Sequence, residues 1–281
     1  MMAGSGIPME AFGAYAERKD DSTLLSRWLF SQELLAHPAL LRDSRIFCCI
    51  CGEVTSLAAS DPAAAIDARE GLHCAKCGMS ARQRAGVALL WMHAGGSDSI
   101  YVTEQSTRLY AWLQSRHGGI RGSEFEPDPV RRAEMAAYLA SMGGSGEIAF
   151  EDVTRLSMAD ASQDVVLSFD VLEHVPDYRA ALREFARVLR VGGSLLATFP
   201  FTDAASTVVR ASLLDDGTLK HHLEPEYHGD PIGGPVLCFY HFGWDLLDEL
   251  RAAGFTRAAM AMPWAPEQGI LYGHWTLVAT R

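Results

Sequence analysis

No apolar run in the 281-residue sequence approaches the ~20 residues that a helix needs to cross a bilayer. The opening segment, MMAGSGIPMEAFGAYAERKDD, lacks the basic-then-apolar pattern of a secretion signal. These absences predict a cytoplasmic protein with no membrane partner. Positive charge is also scarce, since 24 Lys and Arg face 35 Asp and Glu for a formal net charge of −11. A phosphate backbone rewards clustered cations, so nucleic acid is disfavoured as a partner. Internal repeats and long low-complexity tracts are missing, which excludes repeat architectures. What remains is a chain with 48% hydrophobic residues, enough for the core of one large or two modest domains.

Cysteine is rare outside one region. Five of the six lie between Cys48 and Cys77, in CCICG and CAKCG. Each segment holds a Cys-x-x-Cys-Gly, pairing Cys48 with Cys51 and Cys74 with Cys77. Two intervening residues let a tight turn aim both sulfurs at one ion, and the glycine relaxes the backbone behind them. Two such knuckles supply four soft ligands for a tetrahedral zinc ion, whose closed coordination makes the role structural. Persistent disulfides do not suit a cytoplasmic chain. Cys49 is spare, His73 is an alternative ligand, and the lone Cys238 is expected to be a core thiol.

The densest pattern lies at Asp164–Phe201. Asp164–Phe169 is a short apolar run, as expected of a strand buried on both faces of a parallel sheet. Pro176 and Asp177 mark a helix start, and Tyr178, Ala181, Leu182, Phe185, Val188 and Leu189 form one apolar face. Gly192 and Gly193 are expected to stop that helix before a returning parallel strand, Ser194–Phe201. Ligands gather beyond the carboxyl ends of such strands, which puts Asp170, Glu173 and His174 at the mouth of a site.

These residues also carry a family likeness. FDVLEHVPD, a helix, RVLRVGG and a strand ending TFPF resemble the second half of class I methyltransferases that use S-adenosylmethionine, of the type 11 kind. The likeness extends over about Ser97 to Arg281. It implies an α/β, Rossmann-like fold with a seven-stranded, mostly parallel sheet. In the family a glycine-rich turn follows the first strand. Here Ile100–Thr103 is followed by Glu104-Gln105-Ser106, which contains no glycine.

The resemblance implies further roles. Glu104 would receive the cofactor's ammonium group, and Glu124, after the expected strand at Gly119–Phe125, would accept from both ribose hydroxyls. Glu126 is the fallback for Glu124. Within Glu147–Leu156, expected to be a strand and turn, Asp152 would accept from the adenine amine while Val153 and Leu156 flank the ring. Asp170 completes the cofactor side. His174 would stand beside the transferring methyl. His228, in the His-rich stretch HHLEPEYHGDPIGG, is the candidate base, with Tyr227 and Asp230 near it. A second metal site in that stretch is a further reading, beside that of a solvated polar loop.

The expected organisation is an N-terminal arm and helix (1–45), a zinc-binding module resembling a zinc ribbon (46–80) and a methyltransferase domain (81–281), with an acceptor-side insertion at about 202–240. The helix at Ser22–Leu41 either covers the active site or packs on the domain or on the partner of a homodimer. A helix at Ala81–His93 and a loop at Gly95–Ser97 precede the sheet. Phe242–Phe255 reads as an amphipathic helix, and Thr256–Pro263 and Gly273–Thr280 as the last strands. The expected function is methyl transfer from S-adenosylmethionine to oxygen or nitrogen of a small molecule in secondary metabolism. An RNA methyltransferase gripping its substrate through the zinc module, with Arg82 and Arg84 beside it, and a non-catalytic binding module are the alternatives.

Overall fold

The computed structural model describes residues 7–59, 66–96, 98–230 and 234–281. The stretches at 1–6, 60–65 and 231–233, with Ser97 and the Asp230 side chain, lie outside the described residues. They include parts of the arm, of the loop between the knuckles and of the insertion. No helix among the described residues is long and apolar enough to cross a membrane.

The strands up to the site are β1 (Ile7–Met9), β2 (Arg45–Cys48), β3 (Glu53–Ala59), β4 (Leu72–Cys74), β5 (Ile100–Val102), β6 (Ile120–Gly122), β7 (Gln163–Phe169) and β8 (Leu189–Thr198). A Rossmann-like sheet of seven strands runs in the order β1, Arg257–Met262, Thr276–Thr280, β8, β7, β5, β6. The number is as expected, but the membership differs. The strand expected within Glu147–Leu156 is a single parallel bridge, Glu124 to Phe150. The segment Ile7–Met9, read as part of a patternless arm, is a strand antiparallel to Met260–Met262.

Backbone contacts divide the chain into two compact units, Met1–His93 with Ala259–Leu277, and Ala94–Ala258 with Val278–Arg281. In the second unit β5 pairs in parallel with both β6 and β7, and β7 with β8. Every residue of β5 is buried, as is nearly all of β7, which is why apolar residues run consecutively through Val165–Leu167 rather than alternating. The helix Tyr178–Val188 is capped by Asp177, whose carboxylate accepts from Ala180 N at 2.9 Å, and its apolar face is buried as its spacing predicts.

That helix ends at Val188, before the two glycines. Gly192 takes a φ of +83° inside β8, where the pairing with β7 shifts register, and Gly192 N and Gly193 O bond to the backbone of Arg281. The glycines therefore form a strand irregularity rather than a helix cap. The insertion is more regular than a polar loop. It forms three antiparallel pairs, Ala211–Leu213 with Leu219–His221, Tyr227–Asp230 with Gly234–Leu237, and Val208–Val209 with Tyr240–His241.

In the first unit, Asp21 caps a helix at Ser22–Ala36, and Pro38 opens a second short one, Pro38–Asp43. Of its periodic apolar residues Leu24 is buried, whereas Leu25, Trp28 and Leu29 are exposed. β2, β3 and β4 form a small antiparallel sheet that carries the cysteines.

Candidate functional site

Parallel pairing brings the carboxyl ends of β5, β6 and β7 to one edge of the sheet, and the predicted acids lie just past those ends. After β5, the Glu104 carboxylate accepts from Phe169 N at 3.3 Å through either oxygen and from Thr103 Oγ1 at 2.7 Å. Gln105 is buried and bridges to the third segment. Its Nε2 donates to Glu147 O at 2.8 Å, and its Oε1 accepts from Ala149 N at 3.0 Å. A side chain at Gly122 would stand 2.8 Å from the Gln105 Cβ and Cγ, so the glycine of this region is on β6, opposite the turn. The turn itself needs none. Among the described non-glycine residues only Ala161 and Asp170 have a positive φ.

Past β6, Glu124 pairs by backbone with Ala149 and Glu151, and its carboxylate accepts from Ser106 N. Asp152 closes an Asx turn, accepting from Thr154 N at 2.8 Å and Thr154 Oγ1 at 2.6 Å. Val153 and Leu156 are buried beside it. Past β7, Asp170 sits at φ +60°, held by its N–H on Thr198 O at 2.8 Å and by Thr198 Oγ1 on its carboxylate at 3.1 Å. A non-glycine residue kept left-handed by two bonds at the end of a central strand is the kind of strain that functional sites store. Glu126, the fallback, instead caps its own turn at Asp128 N and pairs with Arg131.

A second group of side chains surrounds the short turn Leu172–His174. The insertion is tied to that turn by Phe239 N donating to Glu173 O at 2.7 Å and by His174 Nδ1 donating to Leu237 O at 2.8 Å. This docking brings His228 against His174, with ring centroids 4.8 Å apart and nearly perpendicular. Glu173 is fully buried, and neither carboxylate oxygen has a hydrogen-bond partner. Its Oε1 lies 3.5 Å from His228 Nδ1 and 3.8 Å from His174 Nε2. On its other side, His228 Nε2 meets Glu226 Oε1 at 3.2 Å, and His241 Nε2 meets the same oxygen at 2.9 Å.

Burial raises the Glu173 carboxyl above its usual range. The contacts with Cys238 and then Glu173 push His228 up to about 10. Sequence reasoning missed the approach of Cys238 and His241, and the Gln105 bridge. The partners are set by a hairpin register and a long-range docking that no local pattern encodes.

In the first unit the four knuckle sulfurs converge. Cys48 and Cys77 Sγ are 3.8 Å apart, Cys51 and Cys74 Sγ are 3.7 Å apart, and all four lie within 4.8 Å of one another. Gly52 and Gly78 follow each knuckle at φ +69° and +71°, their N–H groups donating to Cys48 O and Cys74 O at 2.8 Å. Such a set of sulfurs fits one tetrahedral zinc ion. Cys49 turns away to the Arg84 carbonyl, its thiol pushed up to about 11 by burial, and His73 bonds to Gly78 O. Arg84 is completely buried, with its guanidinium donating to the carbonyls of Leu72, Met79, Gln268 and Gly269, and Arg82 pairs with Glu70.

A family model described as a methyltransferase domain matches residues 106–197. Among curated proteins, the chain is 37% identical to a 27-O-demethylrifamycin SV methyltransferase of Amycolatopsis mediterranei over 76 residues, 27% of this chain and 28% of that one. It is 36% identical to a dimethylglycine N-methyltransferase of Parasynechococcus marenigrum over 95 residues, 34% and 33% of the two chains. Over 148 residues, 47% and 52% of the chains, it is 28% identical to a probable S-adenosylmethionine-dependent methyltransferase of Mycobacterium tuberculosis. The matched part thus spans between about a quarter and a half of the length of these relatives.

Proposed function

We propose that this chain, a class I S-adenosylmethionine-dependent methyltransferase, carries a methyl group to an oxygen or nitrogen of a small molecule. The observation that supports it most is the succession of Glu104, Glu124, Asp152 and Asp170 along one edge of a parallel sheet. The cofactor offers donors there: an ammonium, two ribose hydroxyls and an adenine amine. A row of carboxylate acceptors, with Val153 and Leu156 buried beside the third, matches that donor set. The roles proposed are Glu104 for the ammonium, Glu124 for the ribose, Asp152 for the adenine amine and Asp170 for completing the cofactor side.

Bound there, S-adenosylmethionine supplies an electrophilic methyl on a sulfonium. The protein's own task is to hold an acceptor in line with it and to handle a proton if one leaves. His174 and His228 are the groups proposed for the acceptor side. The His174 Nδ1 faces a carbonyl and so carries a proton, which leaves Nε2 as the only nitrogen able to present a lone pair. With no ion bound, the carboxylates of Glu173 and Glu226 beside His228 favour its protonated ring, which would offer a positive charge and a hydrogen bond to acceptor oxygen.

Two of the relatives above are named for small acceptors, a rifamycin and dimethylglycine, and a small-molecule acceptor in secondary metabolism is our reading for this chain. The 46–80 segment is proposed as a structural zinc module beside a methyltransferase domain at 81–281, in a cytoplasmic protein. The arginines that pointed to RNA have other work, Arg84 in the core and Arg82 on Glu70. The exposed Leu25, Trp28 and Leu29 suit the face of a homodimer. Incubation with methyl-labelled S-adenosylmethionine and a panel of hydroxylated and amino small molecules tests the reading. Label is expected in at least one small product, and label only in RNA would replace the small-molecule class.

A further inference from the structure

We propose that Glu173, His174 and His228 form a binding site for a divalent transition ion of the zinc class, separate from the cysteine cluster and open to an exogenous ligand. The candidate ligand atoms of the three residues lie within 4.8 Å of one another. One carboxylate oxygen and two imidazole nitrogens are the donor set that borderline divalent ions favour, and three protein ligands leave a fourth position open.

The decisive feature is Glu173. It is fully buried with no hydrogen bond to either carboxylate oxygen, and its Oε1 stands 3.5 Å from His228 Nδ1 and 3.8 Å from His174 Nε2. A buried carboxylate without donors is costly, and a cation placed among these three groups removes that cost.

The surroundings are those of oriented ligands. His174 donates from Nδ1 to Leu237 O, which aims Nε2 at Glu173. When His228 binds through Nδ1, its Nε2 donates to the Glu226 carboxylate, which also contacts His241 and Arg210. A carboxylate behind a ligating imidazole fixes the tautomer and makes the ring more basic toward metal. The ion would stand one turn beyond Asp170, where it could hold an oxygen of the acceptor. That last role rests on the proposed function, whereas the site itself does not.

The test is a titration of the full chain with Co2+, read by visible absorption with neither cofactor nor acceptor present. The parent protein is expected to bind cobalt at a nitrogen- and oxygen-ligated site that survives Cys74→Ser. His228→Ala and His174→Ala should abolish that signal. Glu226→Gln should weaken the affinity about 10–100-fold by removing the carboxylate that orients the His228 ring. Because the histidine variants also lose packing, Glu173→Gln, of the same shape, is the control, and it should lose the signal while its thermal unfolding stays cooperative. The proposal is overturned if the parent shows no such absorption, or if Glu173→Gln and His228→Ala bind cobalt as the parent does. Since no turnover is measured, failure here is distinguishable from failure of the methyltransferase reading.

Discussion

The Gln105 amide nitrogen donates to the Glu147 carbonyl at 2.8 Å, tying the turn after β5 to a segment that lies beyond β6. The same carboxamide accepts from Ala149 N at 3.0 Å, so one side chain satisfies two backbone groups where a third strand would have paired. A turn built this way has no use for glycine, and Glu104 and Ser106 on either side of Gln105 keep their contacts with Phe169 and Glu124.

Gln105→Ala should therefore destabilise the protein by about 1–3 kcal/mol, because it removes two part-buried hydrogen bonds worth about 0.5–1.5 kcal/mol each. Denaturant unfolding measures it. A change near zero would mean that water replaces the amide and that the bridge does not hold the site's edge.

Metal analysis of protein purified without added zinc should find about one tightly held equivalent, kept by chelator-washed protein and lost in Cys74→Ser. The same substitution should lower solubility and melting temperature. Four freely titratable thiols in native protein would remove the zinc assignment.

Glu124→Ala and Asp152→Ala should each weaken S-adenosylhomocysteine binding by about 1–3 kcal/mol, since each leaves ligand donors without an acceptor. Calorimetry on the folded variants reads the loss. Parent-like affinity in both would turn attention to Glu126.

His274 is completely buried, with neither ring nitrogen hydrogen-bonded. Burial first, and then the positive charges of Arg84, Arg69 and Arg82, hold its pKa down to about 3, against 6.5 for a free imidazole. The folded protein thus refuses a proton that the unfolded chain accepts. Stability from this group is present above about pH 6.5 and drains away as pH falls toward 3, by at most about 1.4 kcal/mol per pH unit. His274→Leu should flatten that part of the stability curve. Parallel curves for parent and variant between about pH 6 and 4 would show that His274 finds a partner.

Where a feature depends on local spacing it was legible in the sequence. The strand and helix at Asp164–Val188 show in the buried run and the Asp177 cap, and the knuckles show in two Cys-x-x-Cys-Gly repeats. The acids lie past β5, β6 and β7 in the order that the strands lead one to expect. Gly192–Gly193 misled, because a glycine pair reads alike as a helix cap or a strand bulge, and only the pairing with Arg281 decides. The segment Glu147–Leu156 misled for a related reason: Gln105 takes the bonds a strand would have made. The cluster of His174 with His228 could not be read. It depends on a docking between residues more than fifty positions apart, through Leu237 and Phe239.

The acidic edge, without a glycine turn, is proposed to hold S-adenosylmethionine. A calorimetric titration of the purified chain with that cofactor tests it most directly. Saturable binding near one cofactor per chain, weakened by Glu124→Ala, is the expected result. No binding heat up to about millimolar cofactor, a concentration at which even about −4 kcal/mol of affinity would register, would contradict it.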